Sequence, residues 1–439
     1  MKRAIVIGGG LAGSEAAWQI AKRGIVVQLY EMRPKKMTPA HKTSYLGELV
    51  CSNSLKSKDI YNAHGLLKEE LRKLGSLIID IADKSAIPGG KALVVDREKF
   101  SRMITESLQA HPNVDIIREE VKYIEKDEIT VIATGPLTSE SLTRELKKLT
   151  GEEYLSFYDA ISPIIDAESL NLSKLFRAER YGWEKNAYLN APLNEEEYYK
   201  FWKALVEAEI HEPHDFEKDI PYFEGCLPIE VMAKRGADSL RFGPLRPIGL
   251  TDPVTGKEPF AVVQLRPENK ECTAYSLVGF QTQLKIKEQE RVFRMIPGLE
   301  KAVFLRYGAV HRNTFLNAPK FLSPTLQFKN FPSILVAGQL IGTEGYVEAA
   351  TGGALAGINA SLLARGRTPV TLPVETISGA LINYISNSDP KHFQPMNANI
   401  GLLTSAPRGL KKYERRRFYV QRAVRTIEKW IEENYSKIF

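Results

Sequence analysis

The chain of 439 residues has few of the features that mark secreted, metal-binding or membrane proteins. Its three cysteines, Cys51, Cys226 and Cys272, form an odd and widely spaced set, which suits neither a disulfide framework nor a zinc site. Its seven histidines show no metal-ligand spacing, so we expect no bound metal.

Long hydrophobic runs are also missing. None approaches the roughly 20 residues that span a bilayer, and the first apolar stretch ends at Gly8, too early for a signal sequence. We therefore expect a cytoplasmic protein without a membrane partner. Hydrophobic residues make up 43% of the chain, enough for a sizeable core, and the length favours two domains.

Positive charge is unevenly distributed. The net charge is +7, and residues 408–439 alone contain ten Lys or Arg against four Asp or Glu. Such a cluster suits a phosphate-rich partner, because binding it releases counterions from the phosphates. The alternative is an amphipathic final helix whose charged face is only solvated.

The N-terminal region has the pattern of a βαβ unit. Residues 4–7 predict a buried strand, 14–23 a helix and 26–30 a second strand that ends before Glu31. Between the first strand and the helix, Gly8, Gly10 and Gly13 have the G-x-G-x-x-G spacing. The first glycine permits the tight turn, the second lets backbone approach a pyrophosphate, and the third lets helix and strand pack closely. A carboxylate at Glu31 could accept hydrogen bonds from ribose hydroxyls.

Two later segments favour FAD over NAD as the ligand. Residues 129–135 form a strand running into a glycine turn of a type common in flavoproteins. Residues 338–353 lead into a small-residue helix predicted over about residues 352–363. Its N-terminus would lie near the flavin, where its dipole would favour the anionic reduced form. Close packing by small residues is the alternative interpretation of this segment, and both can hold. The candidate cofactor-binding residues are Gly8, Gly9, Gly10, Leu11, Ala12, Gly13, Glu31, Arg33, Gly135, Gly338, Tyr346, Gly352 and Gly353.

The order of these segments predicts an α/β protein with a Rossmann-like FAD-binding domain and an inserted α+β domain. Residues 1–160 and 330–439 would form the FAD-binding domain, with a basic helix at its end. Residues 161–329, richer in aromatics and prolines, would form the inserted domain for substrate and tRNA. No second glycine motif is present, so NADH or NADPH would have to reach the flavin without a domain of its own.

The sequence resembles the FAD-dependent methylenetetrahydrofolate–tRNA-(uracil-5-)-methyltransferase family over nearly its whole length. The segments that carry the resemblance are residues 8–13, 51–57, 223–230, 241–247 and 338–353. The resemblance implies methylation of uracil C5 in the tRNA T-loop, giving 5-methyluridine at tRNA position 54. The carbon would come from 5,10-methylenetetrahydrofolate, the hydride from reduced FAD, and the electrons from NADH or NADPH. No obligate protein partner is evident.

The family chemistry requires a thiolate that adds to uracil C6 and so activates C5, and a base that removes the C5 proton. The residues around Cys226 indicate a turn that could present sulfur to a cleft, although a buried structural cysteine fits the sequence alone better. The resemblance assigns Cys226 as the nucleophile and Cys51 as the second catalytic candidate. Cys51 could be the C5 base, or could pair with the flavin or with Cys226. We expect Cys272 to be structural.

Two other functions are compatible with the motifs. Residues 338–350 also resemble a flavoprotein that modifies the tRNA wobble uridine, but that family has a longer C-terminal region than this chain. A non-catalytic flavin-bearing RNA-binding protein would need neither cysteine segment. The uracil-5 methyltransferase therefore fits the sequence best.

Overall fold

A computed structural model of the chain describes residues 3–151, 155–184, 186–211 and 227–438. The strands are β1 (Arg3–Ile7), β2 (Val26–Tyr30), β3 (Ser54–Ser57), β4 (Ala86–Ile87), β5 (Ala92–Val95), β6 (Val114–Ile117), β7 (Thr130–Ile132), β8 (Leu155–Ile161), β9 (Ile164–Asp166), β10 (Phe176–Ala178), β11 (Tyr188–Leu193), β12 (Ala261–Pro267), β13 (Ala274–Leu277), β14 (Phe304–Arg306), β15 (Ala309–Phe315), β16 (Gln327–Phe328) and β17 (Phe331–Val336). The helices are α1 (Leu11–Ala21), α2 (Ala63–Lys73), α3 (Leu77–Lys84), α4 (Arg97–Gln109), α5 (Glu140–Thr150), α6 (Glu195–Glu207), α7 (Ile229–Ala233), α8 (Ile286–Phe293), α9 (Ala318–Phe321), α10 (Tyr346–Ala364), α11 (Ile377–Asn387) and α12 (Lys412–Ile438).

The first sheet has the order β16-β17-β7-β1-β2-β6 and is parallel except for β16. Ile7 pairs with Tyr30 on one side and with Ile132 on the other, so these strands end at the same edge. Val336 of β17 pairs with Ile132 and brings a fourth strand end there. Because ligands of parallel α/β sheets bind outside the carboxyl ends of the strands, this edge is where a site is expected.

Helices α1 and α10 pack against each other at unusually close range, because glycines of α10 face the backbone of α1. A Cβ on Gly353 would lie 2.2 Å from the Ala12 carbonyl oxygen, and one on Gly357 would lie 2.5 Å from that of Ala16. No side chain fits at either position without moving a helix. None of the helices in the described ranges is long and apolar enough to cross a membrane.

The second sheet has the order β10-β11-β12-β13-β9-β14, and its paired strands are antiparallel. It has a core of its own, to which α6 contributes Tyr198 and Phe201 and α8 contributes Phe293. Strands packed on helices in this way form the α+β domain inserted between parts of the first, as the sequence predicts.

The chain passes between the two cores through the antiparallel pair of β8 and β15. The sequence places the end of the insertion at residue 329. In the structure, however, Phe315, Leu326 and Phe328 already pack in the first core, and β16 pairs with β17. The core of the insertion thus ends before β15, because residues 316–328 bury their apolar side chains against the first sheet.

Candidate functional site

A cavity of about 510 Å³ lies at the carboxyl edge of the first sheet, a volume typical of cofactor sites. Most of its wall comes from the first core, and the second core contributes part of β12 and the segment after β13. Its lining includes Gly8, Gly9, Gly10, Leu11, Ala12, Glu31, Arg33, Cys51, Ser52, Lys56, His64, Gly135, Arg266, Gly279, Gln281, Gly338, Tyr346 and Glu348. The cavity therefore joins the glycine motif to the Cys51 segment.

The glycines of the first turn have different physical roles. A Cβ on Gly13 would lie 1.7 Å from the carbonyl oxygen of Gly8, so this residue permits close packing of helix and strand. Gly8 has φ +104°, which disfavours other residues. A Cβ on Gly10, in contrast, would have no protein atom within 4 Å. It would project into the cavity, in the space that a pyrophosphate needs.

Two helices begin at this cavity without a side-chain cap. Helices α2, α3, α4, α5, α6 and α11 each have a cap in which a side chain accepts a backbone N–H. The caps of α1 and α10 are Gly10 and Gly345, which offer no side chain. Free N–H groups and the positive end of a helix dipole suit an anionic ligand, so the residues present fit a dinucleotide.

Glu31 is fully engaged within the protein. Its carboxylate accepts hydrogen bonds from Gly9 N and from the backbone N, Nε and Nη2 of Arg33, each at 3.0 Å. Burial raises the pKa of Glu31, but Arg33 outweighs burial and lowers it below its ordinary value. Arg33 also donates to Glu48 at 3.0 Å. Glu31 thus holds the glycine turn in place, and its contact with a ribose stays a prediction.

The three predicted cofactor-binding glycines near α10, Gly338, Gly352 and Gly353, differ in their access to the cavity. Gly338 lines the cavity, whereas Gly352 and Gly353 are buried inside α10. Helix α10 begins at Tyr346, earlier than the predicted start near Gly352, so neither of those glycines is at its N-terminus. A Cβ on Gly352 would lie 3.2 Å from Gly338 N. Close packing therefore accounts for Gly352 and Gly353, and a direct cofactor contact stays a prediction.

Cys51 is held by the first residue of α10. The Tyr346 hydroxyl oxygen lies 3.0 Å from Cys51 Sγ and accepts hydrogen bonds from Cys51 N at 2.9 Å and Ser52 N at 3.0 Å. Burial first, and then the neighbouring Cys51, raise the pKa of Tyr346 well above its ordinary value. The hydroxyl therefore keeps its proton at neutral pH and can hydrogen-bond to the sulfur.

Three arginines fix the loop of residues 49–53 around Cys51. Arg306 donates to the carbonyl of Val50 at 2.9 Å and to that of Cys51 at 3.3 Å. Arg97 donates to the carbonyl of Leu49. Arg266 binds side chains of the loop: its Nη2 donates to Ser52 Oγ at 2.9 Å and its Nε to Asn53 Oδ1 at 2.8 Å.

The charges of these arginines are only partly compensated. Arg97 forms an ion pair of 2.7 Å with Glu268, which is also nearly buried. Burial, followed by the positive charge of Arg97, lowers the pKa of Arg306 to about 10. Both guanidinium groups remain cationic at neutral pH, and positive charge beside a cysteine favours its thiolate. The arrangement therefore suits a reactive sulfur at Cys51.

A second charged cluster, made of Glu348, Lys56 and His64, also lines the cavity. Glu348, in the first turn of α10, lies 3.4 Å from Lys56 Nζ and 3.2 Å from His64 Nδ1, and it accepts a hydrogen bond from Ala398 N. Burial raises the pKa of Glu348, but Lys56 and His64 outweigh burial and lower it. The ionised carboxylate of Glu348 offsets the positive end of the α10 dipole. It therefore opposes the predicted stabilisation of an anionic reduced flavin by that dipole.

Cys226 lies outside the described residues. The described chain resumes at Leu227, which is buried, and Ile229 N donates to the carbonyl of Gln281 at 2.8 Å. Because Gln281 lines the cavity, the segment just after Cys226 lies close to it. Cys272 lies in a turn of the second domain, and its sulfur contacts the Lys270 carbonyl at 3.8 Å.

Sequence reasoning did not find Arg97, Arg266, Arg306 or Glu268. They come from α4, β12, β14 and the segment after β12, and no short motif contains any two of the arginines. Their role depends on packing between the two cores, which a spacing pattern does not record.

The fold and the cavity define a dinucleotide-binding α/β protein with a cysteine loop at its site. A family model described as "Glucose inhibited division protein A" matches residues 3–368. The methylenetetrahydrofolate–tRNA-(uracil-5-)-methyltransferase TrmFO of Desulforamulus reducens is 56% identical over 432 residues, covering 98% of both chains. The protein of that name from Moorella thermoacetica is also 56% identical, over 98% of this chain and 97% of its own. The chain therefore belongs to the glucose-inhibited division protein A family and, within it, to the TrmFO group.

A solved structure supports the fold. Aquifex aeolicus GidA superposes with a TM-score of 0.71 at 20% identity, covering 99% of this chain and 75% of its own. At this identity the similarity concerns the fold alone. It confirms the predicted fold class, and the curated relatives confirm the resemblance derived from the motifs.

Proposed function

We propose that the protein is a flavoprotein that methylates uracil C5 in the T-loop of tRNA, with 5,10-methylenetetrahydrofolate as carbon donor and NADH or NADPH as reductant. The proposal is supported by the activity for which two relatives are named, each 56% identical over 98% of this chain. We infer further that the enzyme works in the cytoplasm, where it would meet its tRNA.

One structural observation carries the proposal. The uncapped N-terminus of α1, the open space over Gly10 and the Cys51 loop line a single cavity. The glycine side would hold the cofactor FAD, with Gly10 and the N-terminus of α1 available to bind its pyrophosphate. When bound and reduced, it supplies the hydride that completes the methyl group. A uracil ring brought to the other side would reach Cys51.

The residues of the cysteine loop suit proton transfer. Cys51 Sγ would take the proton from uracil C5 once the methylene carbon is attached there. Tyr346 would hold the sulfur through its protonated hydroxyl, 3.0 Å away. Arg97 and Arg306 keep the loop in place and favour negative charge on the sulfur. Hydrogen bonds from three arginines to the loop also limit the positions that Sγ can take, which a reaction at one carbon atom requires.

The nucleophile would be Cys226. Its sulfur would add to C6 of the uracil, as the family chemistry requires of one thiolate. The hydrogen bond from Ile229 N to the carbonyl of Gln281 supports this role, because Gln281 lines the cavity and the bond holds the segment just after Cys226 next to it. Two sulfurs with separate tasks, one at C6 and one at C5, would then meet the same ring.

Helix α12 would contact the tRNA backbone. Arg415, Arg416 and Arg417 are exposed near its start, and within the described part of the chain none of them forms an ion pair. Unpaired, solvated guanidinium groups can neutralise phosphates without first losing a partner. Reversing the charge at all three should weaken tRNA binding while the bound FAD stays unchanged.

The decisive experiment is a reconstitution. The purified protein, with FAD bound, is incubated with unmodified tRNA, methylenetetrahydrofolate and NADPH, and the nucleosides are then analysed for 5-methyluridine. We expect the product only when the folate and the reductant are both present. A protein that holds FAD but makes no 5-methyluridine under these conditions would contradict the proposal.

A further inference from the structure

An exposed aromatic and basic surface lies where Tyr181 and Trp183 of the second domain meet Lys91 of the first, away from the residues assigned above. Tyr181 and Trp183 are 56% and 49% exposed. Lys91 Nζ lies 5.8 Å from the ring centre of Tyr181 and 5.6 Å from that of Trp183. Arg246 donates to the Tyr181 hydroxyl at 2.7 Å. Two exposed rings are thus held beside two cationic side chains.

A series of contacts links this surface to the start of α12. Lys91 forms an ion pair of 3.2 Å with Asp59, whose carboxylate also accepts Tyr61 N. The ring of Tyr61 packs at 6.0 Å from that of Tyr413, which is 64% exposed next to the basic start of α12. We call Tyr61, Lys91, Tyr181, Trp183, Arg246 and Tyr413 the aromatic–basic strip.

The strip also borders the cavity. Strand β3 connects the two, because Ser54 and Lys56 line the cavity while Lys58, just beyond the strand, donates its N–H to the Lys91 carbonyl. A ligand that extends out of the cavity along β3 therefore meets Lys91 and the two rings.

The surface also contains acidic residues, each of which is engaged by neighbouring groups of the protein. Glu184 accepts the N–H groups of Gly89 and Gly90 at 2.7 Å, and it also lies 3.8 Å from Lys58. Glu179 accepts the N–H groups of Tyr181 and Trp183. These carboxylates hold loops in place. Glu179 fixes the backbone that carries Tyr181 and Trp183, and Asp59 fixes the backbone at Tyr61.

We propose that the aromatic–basic strip binds the tRNA outside the cavity, with unpaired bases stacked on Tyr181 and Trp183 and phosphates at Lys91 and Arg246. The inference rests on the proposed function, which supplies RNA as the occupant. Single-stranded RNA is bound by exposed rings that stack on bases, interleaved with cations that follow the backbone. The strip would hold nucleotides next to the target uridine and so direct it into the cavity.

The experiment measures tRNA affinity, bound flavin and 5-methyluridine formation for Trp183→Ala, Tyr181→Ala and Trp183→Phe. Loss of one stacked base weakens affinity about tenfold, so both alanine variants should bind tRNA about tenfold less tightly with full flavin content. Trp183→Phe keeps a ring and should recover most of the affinity. Leu172→Ala, a change at another exposed apolar residue of the second domain, serves as the control and should have no effect.

Salt dependence separates stacking from charge. Lys91→Ala and Arg246→Ala should each lower the slope of log affinity against log salt by about 1, whereas Trp183→Ala should leave the slope unchanged. If the wild type binds tRNA and both ring variants bind as tightly as Leu172→Ala, the strip is not a binding surface. If the wild type binds tRNA without methylating it, the proposed function fails. The affinities of the variants would still show whether the strip binds tRNA.

Discussion

The glycine turn and the Cys51 loop line the same cavity but are built in opposite ways. The turn of residues 8–13 is made of backbone between one strand and one helix, and Glu31 from the adjacent strand holds it. The loop of residues 49–53 has no regular structure of its own up to β3, and Arg266 and Arg306 of the second core hold it together with Arg97.

This difference separates cofactor binding from catalysis. The turn depends on local sequence and so should bind FAD whether or not the second core is perfectly placed. The loop depends on side chains more than 200 residues away, and a small change in either core should move Cys51. Catalysis should therefore be lost far more easily than the flavin.

The largest expected effect is on the glycine side. Gly10→Val should abolish FAD binding, because its side chain would fill the space of the pyrophosphate, yet it should cost only about 1 kcal/mol of stability as a poor helix cap. Gly13→Ala should instead destabilise the fold by roughly 3 kcal/mol, since its Cβ would overlap the Gly8 carbonyl. Flavin absorbance and urea unfolding distinguish the two outcomes. Stoichiometric FAD in Gly10→Val would show that the pyrophosphate lies elsewhere.

Replacing either cysteine by alanine should have the converse effect: the variants should lose turnover but keep their bound flavin. Cys226→Ala should make no 5-methyluridine and form no covalent adduct with tRNA that carries 5-fluorouridine, because fluorine at C5 traps the adduct only after a thiolate has added to C6. Cys51→Ala should also lose turnover but should still form the adduct if Cys51 acts only at C5. Peptide mapping of the trapped complex is the measurement. RNA attached to Cys51 would reverse the two roles.

A smaller effect should follow from loosening the loop. Arg266→Ala removes the donors to Ser52 and Asn53, and we expect kcat to fall about 10- to 100-fold, because displacement of a reacting group by about 1 Å has effects of this size. FAD content should not change. Arg294→Ala, at a partly exposed arginine outside the cavity, is the control. Equal kcat values for the two variants would mean that the loop does not need Arg266.

The smallest effect is expected for Tyr346→Phe. The variant leaves Cys51 N and Ser52 N without their acceptor, which should cost about 1–3 kcal/mol of stability. Because the folded state raises the pKa of Tyr346, the wild type gains stability that is complete below pH 10 and declines above it. Unfolding followed at pH 8 and pH 10.5 should therefore show the difference between the two proteins shrinking. A constant difference would mean that the hydroxyl is not buried in solution.

Parts of the site could be read from sequence because they are local. The βαβ pattern and its glycine spacing predicted β1, α1 and β2, and with them the carboxyl edge where the cavity lies. The family resemblance drew attention to the segment of Cys51, which the structure places at the cavity, and its catalytic role stays a prediction. The start of α10 was predicted too late, because Tyr346 and Val347 precede the small residues that mark the helix in the sequence.

The sequence alone determined the fold class and the class of cofactor, since each depends on residue types at short spacing. The catalytic roles of Cys51 and Cys226 came from the family resemblance and stay predictions. Only the tertiary structure decided what holds Cys51. Arg97, Arg266 and Arg306 carry no motif, and their positions follow from the packing of the two cores against residues 49–53. Only the tertiary structure decided the role of Glu31 as well. Its carboxylate accepts hydrogen bonds from Arg33 and Gly9, and such partners are set by distances in space.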